Sequence, residues 1–359
     1  MNLSELMVCL DSADLTPIEK LQYAGSITRL FNEANRLKDD PSKGLERLKI
    51  QAQINEIAQK IGFIKAKDEQ VKQVTPEKSD ETTGQSEPVK KSLTQRQKAN
   101  NAAIALLKQI DSGEVQLPLS SEQRETLQGY SGSGGGLTAA NGETGSPHEY
   151  YTPRPVAQAM WDMLGGMGFT GGKVLDPSAG MGIFAQTKPD NVAVAQVELD
   201  EVSGKINGLL NNSDTVSTTI SPFEAVAAST EDEQYDAIVT NVPFGDAKMR
   251  GASFKLDKKL QKADLTTYFI LRTLDELKFG GFAAFIVPST IVSGKGGKSQ
   301  KLRTSLSFVA EFIGAYRLPN QVFDEAGADV ITDVIILRKH GREQTDKINE
   351  LKQQNAGIS

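Results

Sequence analysis

The sequence predicts an α/β chain: a mostly parallel sheet covered by helices on both faces, preceded by a small helical region. Three observations lead there. From residue 173 onward, short β-branched runs alternate with amphipathic stretches, the pattern of strands joined by crossover helices. Ahead of that point apolar residues recur only at helical spacing. Between the two parts lies a stretch almost without large apolar side chains, which cannot bury a core. At 359 residues the chain exceeds one ordinary domain, so a catalytic-size core plus something smaller is expected.

Taken in order, residues 1–65 read as a helical N-terminal region. "TPIE" offers Thr16 as N-cap, Pro17 at the first helical position and Glu19 where a capping box needs it. Leu21, Ala24, Ile27, Leu30 and Phe31 follow at helical spacing, and after "DDPSKG" Ile50, Ile54, Ile57 and Ile61 make a second stripe. A helical hairpin or a partner-binding helix pair is expected here rather than chemistry. Residues 66–95 have mixed charge and little bulk, the composition of a flexible linker. Residues 96–150 begin with a helix around 97–111, carrying Ala103, Leu106, Leu107 and Ile110 on one face. A glycine-rich loop follows, "YSGSGGGLTAANGETGSPHEYYTP", of the length that in a compact enzyme is usually functional or mobile.

Residues 151–340 carry the alternating pattern and are expected to be the catalytic domain. Strands are predicted at 173–176, 192–199, 216–220, 235–241, 281–288, 310–318 and 330–338. Helices are predicted near 153–165, 182–188, 201–212, 266–278 and 298–307. Residues 341–359 read as a polar C-terminal tail. In such sheets a ligand sits beyond the carboxyl ends of the strands, so the residues after each strand matter most.

Composition narrows the chemistry. The single cysteine, Cys9, excludes an intramolecular disulfide framework and a thiolate zinc cluster, and suits a reducing cytoplasm. His148 and His340 lack metal-ligand spacing, so no metal site is expected. No apolar run reaches the roughly 18 residues of a membrane span, and the N-terminus has no signal-peptide pattern. A net charge of −6 argues against a uniformly basic nucleic-acid binder while leaving room for a local basic cleft.

After the first strand comes "VLDPSAGMG" (174–182), where Asp176 closes the strand and Ala179, Gly180 and Gly182 form a turn the backbone can bring close to a ligand. No Gly-Lys-Ser/Thr follows, so this is not a P-loop. The second strand ends in "VELD", placing Glu198 about 20 residues beyond the glycines, where an acid accepts the ribose hydroxyls of an adenosine. The fourth strand ends in "NVPF". An exocyclic amine attacking a methyl group has its lone pair delocalised into the ring and gains positive charge as it reacts. Two acceptors aimed at its hydrogens, the side-chain oxygen of Asn241 and the carbonyl of Val242, stabilise that charge. Pro243 stiffens the loop, and Phe244 offers an exposed ring on which a flipped base stacks.

"DPSAGMG", "VELD" and "NVPF" together resemble the class I, Rossmann-like, S-adenosylmethionine-dependent amino-methyltransferases. "HEYYTPRPVAQAM" (148–160) is similar to the N-terminal cofactor motif of N6-adenine DNA methyltransferases, including type I modification subunits. The run from "YSGSGGGL" through "GGFAAFIVPSTI" is most similar to methyltransferase modules of phage and plasmid antirestriction proteins, some of them fused to Swi/Snf-type helicases. The resemblance covers about residues 95–340 and implies S-adenosylmethionine as cofactor. It implies that Tyr151, Thr152 and Pro153 hold the methionine end and that Asp176, Ala179, Gly180 and Gly182 line the amino-acid and ribose side. Glu198 would bind the ribose, and Asn241, Val242, Pro243 and Phe244 the target nitrogen. Phe223 would pack on the cofactor's adenine, although Pro222 stands where the family often has an acid. Val242 replaces the family's usual first proline.

Two basic segments, "KMRGASFKLDKKLQK" (248–262) and "KGGKSQKLR" (295–303), are expected on the same edge as Asn241. Lys248, Arg250, Lys255, Lys258, Lys259, Lys295, Lys298, Lys301 and Arg303 would then contact phosphates without reading sequence. The implied activity is N6-adenine methylation of DNA in a phage or mobile-element setting, in the cytoplasm or carried in a phage particle. Only residues 340–359 follow the last strand, so low specificity is expected, or specificity supplied by the N-terminal helices, a specificity subunit or a phage protein. RNA adenine, a protein glutamine, and a silent methyltransferase fold are the competing readings.

Overall fold

The computed structural model of the protein describes residues 3–13, 15, 17–36, 50, 53–54, 56–58, 60–61, 92–132, 137, 151–244, 257, 259–260, 263–318 and 331–356. The expected Thr16 cap and most of both the 66–95 linker and the glycine-rich loop fall outside these residues.

Helices α1 (Leu3–Ser12) and α2 (Pro17–Arg36) come first. Pro17 opens α2 and Glu19 sits in its first turn, where a negative charge meets the helix dipole favourably. Leu6, Leu10, Ala24, Ile27, Ile54 and Ile61 bury one another in a separate small core. Helices α3 (Leu93–Asp111) and α4 (Ser121–Gln128) both begin with a complete capping box, Ser92 with Gln95 and Ser120 with Gln123. Helix α4 was not foreseen: its Ser120–Gln123 capping box is present, but its eight residues are too few to show a helical period.

The catalytic-size part begins with α5 (Arg154–Gly166), and its sheet and helices then alternate: β1 (Gly172–Asp176), α6 (Ile183–Gln186), β2 (Val192–Glu198), α7 (Glu201–Asn211) and β3 (Val216–Ile220). There follow α8 (Phe223–Ser229), β4 (Tyr235–Asn241), α9 (Leu265–Glu276), β5 (Leu277–Pro288), α10 (Thr290–Ser293), α11 (Gly297–Ser307), β6 (Ala310–Arg317), β7 (Thr332–Lys339) and α12 (Arg342–Ala356). The seven strands form one sheet in the order β3-β2-β1-β4-β5-β7-β6. Neighbours from β3 to β5 are parallel, and β7 runs antiparallel to both β5 and β6.

Strand alternation sorts the core into two layers. Val174, Ala237, Val239, Ala284, Ile286, Val334 and Ile336 face α5, whereas Leu175, Ile238, Ala283, Phe285, Ile335 and Leu337 face α9 and α11. Each fully buried Val, Leu, Ile or Phe among them contributes about 1.5–3 kcal/mol. Trp161 of α5 is 4% exposed and donates its ring N–H to the Phe184 carbonyl at 3.1 Å, tying α5 to α6.

Three outer features seat further elements on this frame. Helix α2 crosses α5 closely because glycines leave room: a Cβ on Gly166 would lie 2.8 Å from the Arg29 nitrogen, and one on Gly25 3.0 Å from the Asp162 Cβ. Helices α3 and α4 pack Ala103, Leu106 and Leu127 against Ile206 and Leu210 of α7, where Arg124 also donates to the Leu210 carbonyl at 2.8 Å. The expected polar tail is helical in α12, whose Arg342 lies over the Phe279 ring at 4.6 Å and Lys352 over Phe308 at 4.2 Å.

Several assignments differ from expectation, among them β5 and α8. Strand β5 begins at Leu277 rather than 281, because Leu277 pairs with Tyr235 across a register shift that the Gly280–Gly281 pair conceals in the sequence. Helix α8 was not foreseen, being only about two turns long and opened by Pro222.

Candidate active site

At the carboxyl ends of β1, β2, β3 and β4 the structure opens into a cavity of about 1050 Å³. That is the upper end of ligand pockets, which run from about 300 to 1,000 Å³. Its walls come from the turn after β1, from Glu198, from Pro222–Glu224, from Asn241–Phe244 and from residues ahead of α5.

The turn after β1 needs its glycines for two different reasons. Gly180 has φ +52°, and a Cβ there would meet the Tyr151 ring at 2.6 Å. Gly182, with φ +75°, faces away from the cavity: a Cβ would strike Asn207 Oδ1 at 2.5 Å and Gln196 Oε1 at 2.7 Å. Gly182 is therefore placed by the polar packing of α7, whereas Gly180 and Ala179 line the cavity. Asn207 Nδ2 donates to the Gly180 carbonyl at 2.9 Å, so the buried amides beneath the turn hold its shape.

Asp176 lies 1% exposed at the end of β1. Its Oδ1 accepts the Ser178 N–H at 3.4 Å, and the neighbouring Thr240 hydroxyl favours its ionised form. Burial raises the carboxyl's pKa to about 7. Glu198 is held by two backbone donors, Gly180 N–H at 2.6 Å and Asp200 N–H at 2.7 Å. This bond joins the end of β2 to the glycine turn and sets the acid at the cavity wall. Tyr151 lines the cavity and pairs its hydroxyl with Ser203 Oγ at 3.1 Å. Thr152 lines it too, while Pro153 serves as the N-cap residue of α5.

The Asn241 side-chain oxygen is shielded from solvent at the end of β4. Its backbone carbonyl accepts Ser178 Oγ at 2.8 Å, and Ser178 Oγ also bonds Thr240 Oγ1 at 2.9 Å. Val242 N–H extends the β4–β5 ladder to the Ile286 carbonyl at 3.1 Å, and Thr266 Oγ1 donates to the Pro243 carbonyl at 3.0 Å. The loop is thus fixed at three successive residues. Phe244 corrects one expectation: it is 7% exposed and packs in the α5-side core, while also lining the cavity. Phe223 is likewise core, 5.3 Å from the Phe269 ring, and both line the cavity.

Sequence reasoning missed Ser178, Ser203, Thr266 and Glu224. Ser178 stood inside the quoted turn, but its role needs a contact 63 residues away. Glu224 is 7% exposed and lines the cavity two residues after Pro222, offering an acid near the position where the expected one is absent.

The basic rim is only partly assembled. Lys248, Arg250, Lys255 and Lys258 lie outside the described residues. Lys259 does not join the rim: it pairs with Asp232 at 2.7 Å and Asp275 at 3.3 Å, beside the amino end of β4 and therefore opposite Asn241. Arg303 donates to the Ile291 and Gly294 carbonyls, both at 2.8 Å, and so closes the end of α10. Lys295, Lys298 and Lys301 are exposed on and just before α11.

These residues fit S-adenosylmethionine. The side-chain-free approach at Gly180 and the fixed Glu198 carboxylate suit a close backbone contact and a ribose, while Asp176 lies buried behind Pro177 and Ser178 rather than on the cavity wall. Comparison with known proteins agrees. The chain is 43% identical over 254 residues to defense against restriction protein B of Escherichia phage P1, covering 70% of this chain and 10% of that one. It is 26% identical over 205 residues to the type I restriction enzyme EcoEI methylase subunit of Escherichia coli, covering 50% and 40%. The chain thus spans well under half the length of these curated relatives. Among solved structures it aligns with the type I restriction enzyme EcoKI M protein at 16% identity over 69% of this chain and 63% of that one, TM-score 0.41. Residues 137–357 match the N-6 DNA Methylase family. A match over more than half of the sequence, on a sheet whose strand ends carry this cavity, makes the chain a member of that family of S-adenosylmethionine-dependent methyltransferases.

Proposed function

We propose that this protein transfers a methyl group from S-adenosylmethionine to the exocyclic N6 amine of adenine in DNA. The reading rests above all on one observation: Asn241–Phe244 lines the same cavity as the Gly180 turn and Glu198, with Ser178 bonded across from turn to loop. Bound S-adenosylmethionine supplies the electrophilic methyl group. Asn241 Oδ1 and the Val242 carbonyl accept the two amine hydrogens, keeping the lone pair on nitrogen and stabilising the positive charge that develops there. Their anchors at Ile286, Ser178 and Thr266 mean that little reorganisation is needed during reaction. No strong base is required, because the amine is acidic once methylated.

The base reaches this cavity flipped out of the duplex, with Phe244 in its wall. Lys295, Lys298 and Lys301 then act as sequence-independent phosphate contacts. Sequence choice is weak or comes from a specificity subunit or phage partner. The role is modification or antirestriction for a phage or other mobile element, in a reducing cytoplasm that suits the lone Cys9.

The test is methyl transfer from labelled S-adenosylmethionine to unmethylated genomic DNA, read by nucleoside mass spectrometry beside Asn241→Ala. N6-methyladenine is expected with wild type and at least 100-fold less with the variant, the scale of losing an oriented charge-stabilising group. Cofactor binding without any methylated base would move the assignment to a protein substrate.

A further inference from the structure

The family match begins at residue 137, yet part of the cofactor cavity is built from residues before it. Gln128, Tyr130 and Ser131 line the cavity. Gln128 ends α4, and the residues after it are seated in two ways: the buried Tyr130 packs with Leu127, Ile206 and Leu210, and one side chain of α3 holds Ser131 and Gly132. Asn100 is 1% exposed and binds this segment three times. Its Nδ2 donates to the Gly132 carbonyl at 2.6 Å, and its Oδ1 accepts the Ser131 N–H at 2.9 Å and Ser131 Oγ at 3.2 Å. Arg96, one turn earlier on α3 and 6% exposed, approaches Ser131 Oγ at 3.5 Å.

The held segment presses on the cofactor site itself. Gly132 has φ +71°, and a Cβ there would lie 2.6 Å from Tyr151 Cε2. A Cβ on Gly180 would lie 2.6 Å from Tyr151 Cε1, on the other edge of the same ring. The Tyr151 ring is therefore gripped between two side-chain-free backbones, one from the turn after β1 and one held by Asn100. Asn100 satisfies its buried amide with three bonds to two adjacent residues, and leaving those groups unpaired would cost about 1–3 kcal/mol.

We infer that Asn100 is a positioning residue for the cofactor: it fixes 130–132 as a wall of the cavity and, through Gly132, sets Tyr151 against the glycine turn. The inference rests on the assignment of this cavity to S-adenosylmethionine and is independent of the methyl acceptor. Helix α3 thereby belongs functionally to the catalytic unit.

The experiment is calorimetric titration of the full chain with S-adenosylmethionine, comparing wild type, Asn100→Ala, Gly132→Ala and the exposed-neighbour control Asn101→Ala. The folded state of each is checked by near-ultraviolet circular dichroism. Asn100→Ala and Gly132→Ala are expected to raise Kd about tenfold, which is ~1.4 kcal/mol, with Asn101→Ala unchanged. In turnover assays the cofactor KM should rise by the same factor while kcat at saturating cofactor stays within about twofold, the signature of lost binding shared by ground and transition states. Unchanged Kd in both folded variants, even with a lowered unfolding midpoint, would reduce Asn100 to a structural residue and overturn the inference. Wild type that binds no S-adenosylmethionine would instead overturn the cofactor site as a whole.

Discussion

At the residue scale, the burial of Asp176 makes stability depend on pH. Its folded pKa is raised by burial to about 7, above the unfolded value near 3.9. Between about pH 4 and pH 7 the folded state therefore holds the extra proton, and its stability falls as pH rises through that window. Asp176→Asn is expected to stabilise the cofactor-free protein by on the order of 1–3 kcal/mol at pH 8, with the gain vanishing near pH 4. Urea unfolding at the two pH values checks this. On the proposed role of Asp176 toward the cofactor's ammonium group, affinity is expected to run the other way: wild-type Kd should worsen below pH 7 while the variant's stays flat.

The sequence displayed the residues of this scale unevenly. Asn241 and Glu198 were legible because each stands at a strand end in a pattern with a chemical reason behind it. Gly182 was legible as a required glycine but not for its cause, since the amides it avoids come from β2 and α7. Phe244 reads as an exposed ring only while the core beside it is unknown. Lys259 and Arg303 look like free cations until their partners, distant in sequence or on the backbone, are seen.

At the scale of elements, α9 shows how an expected amphipathic helix can hide a polar interior. Arg272 would be assigned to its solvent face, yet it is 2% exposed. Its guanidinium binds Asp257 at 2.9 Å and Glu276 at 2.8 Å and donates to the Ala227 carbonyl. Tyr268 also donates to Asp257. With Thr266 on the Pro243 carbonyl, one helix holds the chain both at the Asn241–Phe244 loop and at Asp257. Arg272→Leu leaves two buried carboxylates without their cation and is expected to cost about 3–5 kcal/mol. Burial raises the Glu276 pKa to about 7 even with the arginine present. The loss should therefore be smaller at pH 5, where Glu276 is protonated, than at pH 8, as chemical denaturation at both values would show. Short elements such as α4 and α8 were illegible for a different reason: a turn or two of helix gives no period to detect.

For the whole molecule, alternation of apolar strands and amphipathic helices was enough to anticipate a doubly covered, mostly parallel sheet, because parallel strands must be buried on both faces. Strand order and the reversed β7 depend on pairings across the fold and leave no local trace. The seating of α3 and α4 on α7, and of α2 on α5, was equally hidden: an apolar helical stripe says that a face is buried but not against what.

The bond from Trp161 to the Phe184 carbonyl has an optical consequence. The chain holds one tryptophan, so its emission has a single source, enclosed in the α5-side core. Phe184 lines the cofactor cavity on its other side, placing the fluorophore one residue removed from any occupant. Addition of S-adenosylmethionine should change the intensity of that emission while leaving its wavelength blue. Denaturation should move it to the red. Occupancy and unfolding would thus be read separately, in one cuvette, without a label.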